Sequence, residues 1–263
     1  MTYTNKILSQ TALPAGFTVT AHSGAFDTPD NSIEFVEKAI AENCDILEMD
    51  VTFRPSGLPV IIHSGAPAET EGVPLEEAFL RIAKHPALKM NLDLKSTANL
   101  PAVDALLQKY GLADRAFYTG VSYGWAEIVK QNSAVPYYIN DDFTNGQKRS
   151  PAAADAAAKK IIAAGALGLN SHYDDVSPTV VRAMRENGLL VSLWTANSPM
   201  GMRRSIALYC APNVAASFSS AMKTPGTQSI RVRMSLALKL SRQSSRLPKK
   251  TELSTPAEMF LTA

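Results

Sequence analysis

The chain is poor in the residues that fix structure covalently. Only Cys44 and Cys210 occur among 263 residues, too few for a disulfide framework. Cys44 sits beside an apolar run and reads as a small buried residue, which suits a reducing cytoplasm. Long apolar runs are missing too, and none approaches the ~20 residues that span a bilayer. The opening stretch MTYTNKILSQTALPAGF has one early lysine but no continuous apolar core of a secretory leader, so a cytoplasmic location is expected. Acidic residues nearly vanish from the C-terminal quarter. Residues 1–200 carry 16 basic and 22 acidic side chains, a balance of −6, whereas residues 201–263 carry 10 and 2, a balance of +8; the last aspartate is Asp175. This break divides the chain into a globular part, 1–200, and an atypical basic segment, 201–263.

The globular part alternates short apolar runs with helical patterns. Strand candidates lie at 17–22, 45–51, 59–63, 90–95, 116–120, 136–140, 166–170 and 190–195. Most are continuously apolar, as strands buried on both faces are. Helical patterns cover 31–42, 74–84 and 100–110. Two more, after Ser150-Pro151 and Ser177-Pro178, start on a capping serine with proline at the first position and stop at Gly165 and Gly188. Such repeats predict an α/β fold, a TIM-type (β/α)8 barrel, with an open doubly wound sheet as the rival. Only TFRPSGL separates 45–51 from 59–63, too short for a parallel crossover, so these two runs are expected to form an antiparallel hairpin after the second strand. That leaves seven parallel strands up to residue 196. The eighth has only NVAASF, 213–218, as a weak candidate, so the last strand–helix unit reads as atypical and incomplete. The basic segment beyond reads first as a disordered or loosely packed tail. A patch for nucleic acid or anionic membrane, or a segment foreign to the fold through a frame change near 199–206, are the other readings.

In a parallel barrel the active site forms at the C-terminal ends of the strands. The polar residues there are His22, Glu48, Asp50, His63, Asp93, Lys95, Thr119, Asn140, Asn170, Trp194 and Asn197. Glu48 and Asp50 are two apart on one strand, so their side chains share a face; Asp93 and Lys95 repeat the arrangement on the next. Two carboxylates inside ILEMDV are costly unless partnered. If Glu48, Asp50 and Asp93 converge, three oxygen ligands make a site for a hard divalent metal, Mg²⁺ or Ca²⁺. Lys95 supplies a fixed positive charge for an anionic substrate. His22 and His63 are placed to exchange protons near neutral pH. His85 reads as a loop residue. His172 follows a strand end, where it either lines the pocket or belongs to the polar turn SHYDD.

The stretch AHSGAFDTPDNSIEFVEKAIAENCDILEMDVTFRPSGLPVIIH, followed by NLDLK and GLLVSLWTAN, resembles the glycerophosphodiester phosphodiesterases. That family begins with His-Arg-Gly, then Pro-Glu-Asn-Thr, a Glu-x-Asp strand, a His-Asp pair after a hairpin, an acidic-x-Lys strand and a Trp-Thr-x-Asn strand. The resemblance covers roughly 17–198 and implies a TIM barrel. It implies His22 and His63 as general base and acid, Glu48, Asp50 and Asp93 as metal ligands, Lys95 on the phosphate and Trp194 in the pocket wall. The implied reaction is metal-dependent hydrolysis of a small-molecule glycerophosphodiester to glycerol 3-phosphate and an alcohol, a step in lipid metabolism with no nucleic acid involved. The chain departs from the pattern at Ser23, where the family has arginine, at Ser64, where it has aspartate, and at Asp30, where it has glutamate. The family's closing Gly-x-Asp-x-Ile-Thr strand is absent. An impaired homologue that binds a phosphate ligand, or a phospholipase D-like lipid-headgroup lyase, are the alternatives.

Overall fold

The computed structural model describes residues 18–196, 199–210, 234–238 and 259–262. Strands and helices alternate as the patterns predict. In chain order they are β1 (Val19–Ala21), α1 (Ile33–Ala41), β2 (Ile46–Phe53), β3 (Pro59–Ile61), β4 (Val73–Pro74), α2 (Leu75–Ile82), β5 (Lys89–Leu94), α3 (Leu100–Lys109), β6 (Ala116–Val121) and α4 (Tyr123–Asn132). There follow β7 (Tyr137–Asn140), α5 (Asn145–Arg149), α6 (Pro151–Ala163), β8 (Gly168–His172), α7 (Pro178–Glu186), β9 (Leu190–Trp194), α8 (Pro199–Cys210), β10 (Met234–Leu238) and β11 (Met259–Thr262). The helix signals act as read. Ser150 and Ser177 accept hydrogen bonds from the backbone N–H groups of Ala153 and Val180, and proline opens both helices.

Parallel ladders join β2, β5, β6, β7, β8 and β9 in that order. The expected hairpin is present, with Val51 opposite Ile61 and Phe53 opposite Pro59, and β4 extends it antiparallel. On the other side, β10 pairs antiparallel with both β9 and β1, while β11 joins β10 and β1. β1 then meets β2 through side chains: the Val19 N–H donates to Asp45 Oδ2 at 3.0 Å and the Ser23 N–H to Glu48 Oε2 at 2.9 Å. The fold is a TIM-type barrel. Six of the seven runs expected to make its parallel wall are joined by parallel ladders, and the first, β1, is laddered to β10 and β11 instead of β2. The weak eighth candidate, 213–218, lies outside the described residues, as does Asn197. Between β9 and β1 the structure has β10, from the segment read as a tail. The boundary expected at 200 falls inside α8.

Every residue of β2 is buried, the physical reason its apolar run is continuous. Period-2 geometry sends even-numbered β2 residues to one face. On that face Ile46 packs with Phe117 and Tyr138, and Leu190 leans on the group. The Phe117 and Tyr138 rings meet edge-on with centroids 5.4 Å apart. Because these residues come from β2, β6, β7 and β9, they form an apolar layer inside the barrel, separate from the main core between strands and helices. Moving two residues toward the C-terminal end from Ile46, Phe117 and Tyr138 gives Glu48, Thr119 and Asn140. The polar mouth therefore stands directly on an apolar floor.

Candidate active site

A cleft of about 300 Å³ opens at this end of the barrel, lined by His22, Glu48, Asp50, His63, Asn91, Asp93, Lys95, Thr119, Asn140, Asn170, Trp194 and Thr195. It brings together all seven residues expected to form a site. His85 lies in an exposed loop away from it. His172 stays outside the lining and packs its ring against Tyr173 and edge-on against Trp194, with centroids 4.6 and 5.5 Å away.

Asp50 is the hub. Its Oδ1 lies 2.9 Å from Lys95 Nζ, and its Oδ2 accepts from Asn31 Nδ2 at 2.7 Å and meets His63 Nδ1 at 3.1 Å. The Asp50 N–H donates in return to Asn31 Oδ1 at 2.9 Å. Burial alone would raise this carboxyl, but the Lys95 charge, the Asn31 bond and His63 outweigh it and hold Asp50 below the usual aspartate range. Lys95 also donates to Asp93. Its burial favours the neutral amine, yet the charges of Asp93 and Asp50 hold its pKa above that of an ordinary lysine. Thr119 Oγ1 bonds Asp93 at 2.7 Å and Asn91 at 2.8 Å.

Glu48 behaves oppositely. Burial first, then the negative charges of Asp50 and Asp93, push its carboxyl well above the glutamate range, against the pull of the Ser23 N–H and Lys95. Ligand oxygens of Glu48, Asp50 and Asp93 lie within 4.8 Å of one another. When all three are ionised, one ammonium leaves two negative charges uncompensated. An all-oxygen donor set with that charge fits a divalent hard cation.

The partners also assign the histidine tautomers. The Ser23 carbonyl, 3.3 Å from His22 Nδ1, can only accept, so Nδ1 carries the proton. Glu48 Oε2 lies 3.4 Å from the same nitrogen. For His63, the ionised Asp50 plays the same part. In both rings the partners named here engage Nδ1. The two differ in access: His63 has 74% of its side chain exposed, His22 only 19%.

The loop after β1 accounts for one departure from the expected motif. Ser23 is buried, and its hydroxyl accepts the Asn31 N–H at 2.6 Å. It ties the ends of the 23–31 loop where a guanidinium was expected. Gly24, at φ 78°, packs so closely on Asp30 that an added Cβ would fall 1.8 Å from Asp30 Oδ1, so this turn requires glycine. Among the described residues, the Ser64 side chain accepts the Ala66 N–H at 3.3 Å.

Sequence reasoning missed Asn31, Asn91 and Thr195. Asn91 shares the even–odd register of Asp93 and Lys95, and that period was its available signal. Asn31 was hidden because Ser32, its neighbour, is the cap of α1.

A family model described as the glycerophosphoryl diester phosphodiesterase family matches residues 73–215. The match begins after His63, so it is independent of the His, Glu-x-Asp and hairpin motifs. No curated protein matches the chain. Among solved structures, a candidate glycerophosphoryl diester phosphodiesterase from Agrobacterium tumefaciens superposes with TM-score 0.62 at 15% identity, over 73% of this chain and 90% of that one. Another from Silicibacter pomeroyi gives 0.61 at 21% identity, over 74% and 88%. An Oleispira antarctica phosphodiesterase in complex with the product sn-glycerol-3-phosphate gives 0.54 at 18%, over 68% and 83%.

Proposed function

The chain belongs to the glycerophosphoryl diester phosphodiesterase family, and from that premise we propose that its cleft hydrolyses small glycerophosphodiesters to glycerol 3-phosphate and an alcohol by paired histidine acid–base catalysis. The observation that carries this reading is the convergence of two histidines, three carboxylates and one lysine on one cleft at the C-terminal mouth of the barrel.

Glu48, Asp50 and Asp93 are the residues that would hold a divalent metal, Mg²⁺ or Ca²⁺. Such an ion, when bound, supplies charge neutralisation at a phosphoryl oxygen. The protein's own groups do the rest. Lys95 holds a fixed positive charge at the phosphate side of the cleft. His22, the deeper histidine, takes the proton from the attacking oxygen at Nε2 while the Ser23 carbonyl and Glu48 hold Nδ1 in place. His63, at the exposed rim, gives its Nε2 proton to the departing alcohol, and Asp50 supports the imidazolium beforehand. Trp194 forms part of the wall that orients the substrate. The apolar floor of Ile46, Phe117 and Tyr138 shuts water out from below.

Ser23 and Ser64 favour a second reading, an impaired homologue that binds a phosphate ligand, because neither offers the charge found in the family pattern. Cys44 is a free thiol, which suits the cytoplasmic setting proposed with this activity. No helix among the described residues is long and apolar enough to cross a membrane. The deciding experiment is release of glycerol 3-phosphate from glycerophosphocholine while Mg²⁺ or Ca²⁺ is titrated. Metal-dependent release supports the hydrolase; ligand binding without any release supports the second reading.

A further inference from the structure

A second cavity, of about 430 Å³, shares no lining residue with the cleft. Its walls come from segments that follow β7, β8 and β9: α5, the start of α7 and one side of α8. Lys148, Arg149 and Arg204 bring positive charge to it, and no carboxylate among the described residues lines it. Arg204 and Leu208 are four apart on α8 and so share a face. Leu208, Val176 and Pro178 give the cavity an apolar side.

Two aspartates outside the lining meet part of this charge. Asp174 accepts from Arg204, and Asp175 lies 3.6 Å from Lys148 Nζ. Lys148 Nζ also donates to the Asp174 carbonyl at 2.7 Å, and the Lys148 carbonyl accepts the Ser177 hydroxyl at 2.6 Å. These bonds tie α5 to the turn before α7, so Lys148 is held in place without a ligand. Arg149 is exposed and has no ion pair or hydrogen bond among the described residues. Its charge is the one left over when two carboxylates face three cations. The N-terminal end of α7, at Ser177 and Pro178, adds the positive pole of a helix dipole to the same wall.

A phosphate monoester carries about −1.5 to −2 charges at neutral pH and three acceptor oxygens, and guanidinium groups pair with such oxygens two at a time. The apolar side offers contact to an organic body that a bare anion lacks. We propose that this cavity is a second anion site, separate from the cleft, that binds an organic phosphate monoester. Arg149, Arg204 and Lys148 hold the phosphate, and Val176, Pro178 and Leu208 pack against the organic part. The proposal goes beyond the phosphodiesterase reading and needs neither metal nor turnover.

The test is titration of the full, metal-free chain with phenyl phosphate and with inorganic phosphate, followed by NMR of the backbone amides. Without metal the cleft holds three carboxylates against one lysine and repels both ligands. Saturable shifts are expected around residues 145–149, 176–180 and 204–208, with phenyl phosphate binding severalfold more tightly than inorganic phosphate. Arg149→Ala and Arg149→Gln should each weaken phenyl phosphate by about tenfold, the weight of a lost charge-assisted hydrogen bond, and thermal melts report that the variants fold. Absence of saturable shifts, shifts confined to the cleft, equal affinity for the two ligands, or unchanged affinity in the folded variants overturns the proposal. Turnover of glycerophosphocholine is scored separately, and its absence bears on the hydrolase reading alone.

Discussion

The two arcs of the barrel mouth are built on opposite principles. The arc from β1 through β5 carries the charge: His22, Glu48, Asp50, His63, Asp93 and Lys95 hold one another in a network of ion pairs and hydrogen bonds. The arc from β7 to β9 is neutral and leaves Asn170 Oδ1 and Trp194 Nε1 unmatched. A buried charge without a partner is far more costly than a buried amide without one, so the charged arc pairs its groups with one another as far as one ammonium allows, whereas the neutral arc tolerates two unmatched atoms.

The largest effects are expected where the charged arc meets the chemistry. His22→Ala and His63→Ala should each lower kcat on glycerophosphocholine by roughly 10²–10⁴-fold, while the rise in melting temperature on adding Mg²⁺ persists. Loss of that rise along with activity would show that the histidines serve the metal rather than the proton. Next comes Asn31→Ala, which strips Asp50 of both amide bonds. Supporting partners of this kind typically carry 10–100-fold in metal affinity, and a Mg²⁺ titration followed by melting reads it. An affinity within twofold of wild type would make Asp50 self-sufficient.

A smaller effect tests the raised carboxyl of Glu48. The folded chain holds this proton to higher pH than the unfolded chain does. Its stabilising effect is therefore complete below the ordinary glutamate range and is lost as pH rises through the raised value. Metal-free protein should melt at lower temperature as pH rises across that window. Glu48→Gln should flatten the slope, raise the neutral-pH melting temperature by about 2–4 °C for each kcal/mol recovered, and abolish the gain on adding Mg²⁺. Wild-type metal affinity should climb with pH, because binding displaces the proton. A metal affinity that ignores pH would show that Glu48 is already ionised. The smallest effect belongs to His85→Ala, outside both arcs, which should alter stability by no more than about 0.5 kcal/mol and leave turnover as it was.

The charged arc was legible because of its cost. Two carboxylates inside an apolar strand demand an explanation from composition alone, and the two-residue spacing of Glu48–Asp50 and Asp93–Lys95 already placed each pair on one face. The neutral arc was half legible. Asn140 and Asn170 stood out as polar strand ends, but an amide is cheap enough to bury that nothing in its spacing reveals whether its atoms are partnered. Asn31 was illegible because its bonds run to Asp50 and Ser23, 19 and 8 residues away along the chain. The segment after residue 200 shows the other limit. Its basic composition pointed to a tail, whereas Met234–Leu238 pairs with β9 and β1. Strand pairing of that kind depends on an open barrel edge, which local composition does not register.

By itself the sequence determined the alternation of strands and helices, the helix starts and stops, the hairpin and the six residues of the charged arc, because each follows from local periodicity, turn chemistry or the cost of a buried charge. Only the tertiary structure decided that Lys95 lies between two carboxylates, that the Ser23 hydroxyl ties its loop to Asn31, and that the Asn170 carbonyl faces away from Asn140. Those outcomes depend on which atoms meet across strands far apart in the chain, and no residue's own chemistry specifies its neighbour.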